Sequence, residues 1–139
     1  MKNTQFIDTN IFIRYLTKDD QQKHRACLAL FQQAERSEVS LTTSESVIAE
    51  VVYVLSSAKH YGLSRRQIQV ALSRLLILPG IRLEHHATFI TALGLYAESS
   101  IDFEDCLTVA HMQRERLRAI VSYDSDFDRI KNMLRIEPK

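Results

Sequence analysis

A chain of 139 residues is long enough for one domain with a real hydrophobic core. Its composition of 45% hydrophobic and 25% charged residues is typical of a globular protein and excludes a disordered chain. Only 3 glycines and 2 prolines disfavour a turn-rich all-β sandwich or barrel and favour helices. The net charge of +1 neither indicates nor excludes a polyanionic partner, because binding depends on how charge is distributed.

In the first half of the chain, short apolar strands alternate with helices. Strands are predicted over residues 5–7 and 39–41. Helices are predicted over residues 9–16, from the cap at 19–20 to about residue 37, and from Ser44 to about residue 60, where Gly62 ends the helix. Residues 64–67 have the form of a capping box, which opens a further helix through residue 76.

The same alternation continues in the second half. Strands are predicted over residues 81–83, 119–122 and 134–136, and helices over 86–99 and 102–116, with a turn at 124–127. Strands that alternate with helices predict an α/β fold with a parallel sheet covered by helices. Sites in such sheets form beyond the carboxyl ends of strands. Asp8 and Asp124 each follow a predicted strand, so both are expected to face one crevice.

Cysteine content and hydropathy indicate where the protein works. The two cysteines, Cys27 and Cys106, lie in apolar helical segments, which favours buried thiols over a disulfide framework or a structural zinc site. The N-terminus has no long apolar segment of the kind found in signal peptides, and no apolar run is long enough to span a bilayer. A cytoplasmic protein without a membrane partner is therefore expected.

Acidic residues inside or beside apolar stretches are the main chemical signal. A charge in such a place costs free energy unless it is paired or bound to a cation. Taken alone, Asp8 is explained by a role as a helix N-cap at least as well as by a metal role. Glu50 shares a predicted helix face with Val47 and Val54, and the alternative to a site role is a buried salt bridge to an arginine.

The second half of the chain adds further carboxylates. Asp105 follows Asp102 by one helical turn, and Asp102 is better explained as the helix cap. Asp124 and Asp126 can equally be turn residues whose side chains accept backbone N–H groups. The whole set of acids, rather than any one member, predicts a shared cation site.

Clustered carboxylates suit one kind of chemistry. They raise each other's pKa values unless a cation is present, and oxygen ligands select hard ions such as Mg²⁺ or Mn²⁺. Such ions activate water and stabilise charge on a phosphoryl group, which favours hydrolysis of phosphodiester bonds. The sequence contains no P-loop and no G-x-S-x-G motif, so those alternatives have no support.

Four segments in order resemble the PIN-domain family, and within it the VapC-type toxins of prokaryotic toxin–antitoxin systems. The segments are residues 7–10 (IDTN), 49–55 (AEVVYVL), 102–107 (DFEDCL) and 121–127 (VSYDSDF). The resemblance covers nearly the whole chain. It implies a single PIN-like domain over residues 1–139, built as a three-layer α/β/α sandwich with a short-stranded, mostly parallel central sheet.

The resemblance also implies an activity and its partners. It predicts a Mg²⁺- or Mn²⁺-dependent endoribonuclease toxin that hydrolyses RNA with metal-activated water, forms a homodimer and is neutralised by a cognate VapB-like antitoxin. Asp8, Glu50, Asp105 and Asp124 match the four family acids, which are catalytic and hold the metal. Asp126 matches a second acid beside the fourth, and either of the two can be the metal ligand.

Polar and basic positions complete the predicted site. Asn10 and Ser122 match polar positions near the family acids and would orient them from outside the metal shell, with serine where the family often has threonine. Five cations are candidates for contact with RNA, although each is also explained as part of a solvated helix face. They are Arg14, Lys18, Arg65, Arg66 and Arg114.

Two alternatives to a ribonuclease remain. The acids can be degenerate, which would leave a noncatalytic RNA- or protein-binding module. A metal-dependent phosphatase of the haloacid-dehalogenase type would need a second aspartate in residues 8–10, which this chain lacks.

Overall fold

The computed structural model describes residues 3–139 and confirms the predicted alternation of strands and helices. The elements are β1 (Thr4–Phe6), α1 (Thr9–Leu16), α2 (Gln21–Glu35), β2 (Ser40–Thr42), α3 (Glu45–Ser56), α4 (Arg65–Leu76), α5 (His86–Glu98), α6 (Phe103–Arg114), β3 (Ala119–Val121), a 3₁₀ helix (Ser125–Arg129) and β4 (Leu134–Ile136). Six helices with short strands are the α/β arrangement that the sequence predicts.

All strand pairs are parallel, as expected, but the sheet has two parts. In the first part β1 pairs with β2, and Leu41 of β2 forms a single bridge to Ile81 on its other side. In the second part β3 pairs with β4, with Ile120 opposite Arg135. Within residues 3–139 no ladder joins β1 to β3, so each of these strands keeps one edge without a strand partner.

The strand predicted over residues 81–83 is wrong in extent, because only Ile81 forms a bridge. Gly80 brings the chain against the start of β2, where its carbonyl accepts a hydrogen bond from the Leu41 amide at 2.7 Å. A Cβ at Gly80 would lie 2.5 Å from the Val39 carbonyl oxygen and 2.7 Å from the Ala34 Cα, so glycine is required. The segment after Gly80 therefore lies beside β2, where it forms a single β-bridge.

The core is formed by apolar faces of all six helices together with β2. Helix α5 packs against α4 and α6, while α1 packs against α2 and α3. Phe12, Ile48, Leu72 and Leu93 are fully buried, and each such side chain contributes about 1.5–3 kcal/mol of hydrophobic stabilisation. Cys27 and Cys106 are buried free thiols, as predicted.

Some helix ends follow the predicted signals and others do not. The capping box is present, because Ser64 Oγ accepts from the Gln67 amide at 3.1 Å and Gln67 Oε1 accepts from the Ser64 amide at 2.9 Å. Asp102 occupies the N-cap of α6 but makes no capping bond with its side chain. Helix α3 ends at Ser56 rather than near residue 60, because the Ser57 carbonyl accepts from the Tyr61 and Gly62 amides and turns the chain.

Among residues 3–139, no helix combines the length and the apolar character that crossing a bilayer requires.

Candidate metal centre

Three carboxylates from two elements meet at the start of α6. One oxygen each of Asp105, Asp124 and Asp126 lies within 4.8 Å of the others. Asp105 is in the first turn of α6, Asp124 is the N-cap of the 3₁₀ helix that follows β3, and Asp126 lies within that helix. The structure therefore brings together three of the five acids that the sequence predicts for the site.

The turn after β3 fixes the backbone that carries Asp124. The Asp124 amide donates to Ser122 Oγ at 3.0 Å, and Asp124 Oδ1 accepts from the Asp126 amide at 2.9 Å. The turn role and a metal role for Asp124 are compatible, because Oδ2 makes no bond within the turn. Ser122 acts on Asp124 through the backbone amide, which suits the orienting role predicted for it.

The electrostatics of the cluster disfavour charge on Asp105. Its carboxyl group is half-buried, and burial is the main cause that raises its pKa. The neighbouring carboxylates of Asp124, Asp102, Asp126 and Glu104 raise this pKa further by like-charge repulsion. A bound cation would oppose both effects, because its positive charge favours the ionised form of the carboxyl group.

One arginine lies beside the cluster. Arg129 approaches Asp126 at 3.6 Å and donates from its other terminal nitrogen to Ser100 Oγ at 3.0 Å. Both partners of this ion pair are exposed to solvent, so the pair stabilises little by itself. Asp126 therefore remains available to a stronger cation.

Two of the three acids border an open cleft of about 820 Å³. Its walls come from α3, from the start of α4 and from the end of α5, and Asp105 and Asp124 lie in its lining. Tyr53 of α3 also lines the cleft and is 71% exposed, so its ring is available to a ligand. The cleft can admit a ligand next to the carboxylates.

The two remaining acids lie outside the three-carboxylate group. Glu50 is exposed and accepts a hydrogen bond from Thr9 Oγ1 at 2.8 Å, so it is not buried on the apolar face of α3 as the sequence suggested. Asp8 occupies the N-cap of α1 without a side-chain capping bond, which removes the capping explanation. Asp8 instead lines a depression of about 400 Å³ together with Asn10 and Arg14.

Comparison with known proteins decides the family. A sequence profile described as the PIN domain matches residues 6–133, most of the chain. The chain belongs to the PIN domain family. A similar solved structure is the VapBC2 complex from Rickettsia felis bound to a DNA fragment from their promoter, with 21% identity over 97% of this chain and 98% of that chain and a TM-score of 0.37. No curated protein matches the sequence significantly.

Within this PIN domain, the predicted RNA-facing cations are dispersed. Arg65 is the one that lines the cleft with the acids, and its guanidinium lies 4.2 Å from the Tyr96 ring centre and donates to the carbonyls of Tyr96 and Ile101. These contacts make Arg65 part of the cleft wall. Arg14 pairs with Asp19 at 3.2 Å, and Arg114 donates to Thr88 Oγ1 at 3.0 Å. Lys18 and Arg66 are exposed.

Several polar contacts around the candidate site lie outside the predictions from the sequence. The Thr9 hydroxyl that binds Glu50 had a signal, because it directly follows Asp8 in the first motif. His111 Nε2 lies 2.7 Å from Glu45 Oε1 and links α6 to α3, and the two residues are too far apart in the chain for a local pattern to indicate this contact. The ion pair between Arg129 and Asp126 had a local signal, because the two residues are three positions apart in one helical segment.

Proposed function

We propose that this PIN domain is a Mg²⁺- or Mn²⁺-dependent endoribonuclease of the VapC type, which hydrolyses RNA phosphodiester bonds. The observation that carries the proposal is the convergence of Asp105, Asp124 and Asp126 at the edge of an open cleft. Oxygen-only donors of this kind fit Mg²⁺ or Mn²⁺ rather than zinc or copper.

The chain's residues would divide the work as follows. Asp105, Asp124 and Asp126 would hold the ion, and Ser122 would keep the Asp124 backbone in place. The bound ion would lower the pKa of water and neutralise charge on the phosphate. The cleft beside the carboxylates would position one phosphodiester of a flexible strand, with the exposed Tyr53 ring as a surface on which a base stacks.

Asp8 and Glu50 would complete the site. Thr9 directly follows Asp8, and its hydroxyl donates a hydrogen bond to Glu50, so this bond connects the segment that carries Asp8 to α3. Glu50 lies on α3, and its neighbours Ala49 and Tyr53 already line the cleft. Asp8 and Asp124 each lie just beyond the carboxyl end of a strand, β1 and β3, which is where sites form in parallel sheets.

The direct test is cleavage of total cellular RNA with Mn²⁺ or with EDTA. Asp105→Asn and Asp124→Asn should each reduce cleavage at least about a hundredfold, because each removes a metal ligand worth a few kcal/mol to the transition state. Asp8→Asn tests the larger acid set in the same way. Glu98→Gln, an exposed carboxylate at the end of α5, is the matched control and should leave cleavage unchanged. Cleavage that survives EDTA would contradict the metal role.

A noncatalytic binding module is the second candidate, because Asp8 and Glu50 lie outside the three-carboxylate group. A folded sample that binds RNA yet cuts none in Mn²⁺ would favour that function. The proposal for a VapC-type toxin further includes a homodimer in the cytoplasm and a VapB-like antitoxin that blocks the cleft. Loss of cleavage on addition of the cognate antitoxin tests that part.

A further inference from the structure

A basic pocket lies at the opposite end of α6 from the acids. Arg116, Arg118 and Lys131 line a cavity of about 560 Å³ whose floor includes Met112 and Ile130. The three cations are exposed, and none of them has an ion pair or a side-chain hydrogen bond within residues 3–139. Three unpaired like charges around one cavity repel each other, so an anionic ligand would stabilise the arrangement.

The backbone holds one of these cations in an unusual conformation. The Leu117 amide donates to the Met112 carbonyl at 2.8 Å and the Arg116 amide donates to the Gln113 carbonyl at 3.1 Å, which closes α6. This closure sets Arg116 at φ +59°, at a position where glycine is usual. The chain therefore carries a strained arginine at the rim of the pocket.

An exposed apolar strip leads from this pocket toward the acids. The register of β3 on β4 places Ala119, Val121, Leu134 and Ile136 on one face, and Val121 and Leu134 are 67% and 60% exposed. The strip begins at the pocket, since β4 follows directly after the lining residues 130–133. It ends beside Tyr123, which is 70% exposed.

Tyr123 connects the strip to the proposed catalytic site, because it immediately precedes Asp124. Asp124 lies six positions after Arg118 in the chain, and an extended chain rises about 3.3 Å per residue, so the two ends lie up to about 20 Å apart. A ligand that covers the whole strip must therefore be elongated, as a segment of a polymer is. It must offer anionic groups at the pocket and flat apolar groups along the strip.

We propose that the β3–β4 face is a track for single-stranded RNA, with backbone phosphates held by Arg116, Arg118 and Lys131 and a base stacked on Tyr123. Lysine and arginine bind phosphates without reading sequence, and an exposed aromatic ring stacks any base. The choice of RNA as the polymer rests on the proposed nuclease function. The charge complementarity of the pocket does not depend on it.

The test measures binding without cleavage. A 5′-fluorescein-labelled 12-nucleotide single-stranded RNA is titrated with Asp105→Asn protein in EDTA at several salt concentrations, and fluorescence anisotropy gives the dissociation constant. Adding Arg118→Gln and Lys131→Gln together should weaken RNA binding at least about tenfold. It should also make the negative slope of log association constant against log salt concentration shallower by about 1.4, since each lost phosphate contact removes about 0.7. Adding Tyr123→Ser should weaken binding about tenfold and leave that slope unchanged.

The matched control pairs Arg82→Gln with Lys59→Gln, which removes two exposed cations outside the pocket lining. An equal loss of affinity in this control would overturn the proposal, because it would show a general charge effect. An unchanged slope in the pocket variant would also overturn it. So would tighter binding of an acidic peptide of matched charge, since the pocket would then recognise protein.

The outcomes separate the track from the nuclease. Wild-type protein that cuts RNA while the pocket variant binds normally would refute the track alone. Wild-type protein that never cuts, combined with the expected losses of RNA binding, would refute the nuclease and retain the track.

Discussion

Asp105 carries the least favourable charge in the candidate site. Burial and four neighbouring carboxylates raise its pKa above the ordinary value of 3.8. The folded state therefore binds this proton more tightly than the unfolded state does. The free energy of unfolding accordingly falls as the pH rises from below 3.8 through the folded pKa.

Asp105→Asn should remove this penalty. In metal-free buffer at neutral pH, urea denaturation should give the variant a higher free energy of unfolding than the wild type, and the difference should shrink as the pH falls below 3.8. Glu98→Gln serves as the control, since it changes the same net charge at an exposed position. A variant that is less stable than the wild type at neutral pH would show that Asp105 already has a stabilising partner.

At the scale of elements, α4 offers two serines in opposite situations. Ser64 caps the helix with reciprocal bonds to Gln67, whereas the hydroxyl of Ser73 is buried without a hydrogen-bond partner in the described part of the chain. Ser64→Ala should lower the free energy of unfolding by about 1 kcal/mol, because it exposes the amides of the first turn. Ser73→Ala should raise it by up to about 1 kcal/mol, because it removes an unsatisfied polar group and favours the helix. Urea denaturation of both variants checks the opposite signs.

The sequence predicted helix ends well where they depend on residues within one helical turn of each other. The bounds of α1 and the capping box of α4 agree with the prediction, since both depend on neighbours in the chain. The end of α3 was predicted too far along the chain. The turn at Ser57 depends on hydrogen bonds to the Ser57 carbonyl, which residue types alone do not indicate. The bridge at Ile81 depends on contact with β2, which is likewise distant in the chain.

The candidate site likewise combines residues that are close in the chain with residues that are distant in it. Asp124 and Asp126 share a turn, whereas Asp105 comes from α6, which precedes that turn in the chain, and it meets them only in the folded protein. Asp8 and Glu50 lie outside this group, and their distance from it is set by how the two parts of the sheet meet. Contacts across the whole chain set how the two parts of the sheet meet. The prediction that all five acids share one site therefore rests on the family resemblance.

At the scale of the whole molecule, a metal that binds only the folded protein must stabilise it. A ligand at a hundred times its dissociation constant adds about 2.7 kcal/mol to the free energy of unfolding. Mn²⁺ should therefore reverse the stability order of wild type and Asp105→Asn, because only the wild type keeps all three carboxylates.

Calorimetric titration of Mn²⁺ into metal-free protein tests the central claim most directly. We predict at least one bound ion per chain in the wild type and in Glu98→Gln, with affinity reduced at least about tenfold in Asp105→Asn and Asp124→Asn. Equal Mn²⁺ affinity in all four proteins, or no binding to the wild type, would contradict a metal centre at these carboxylates.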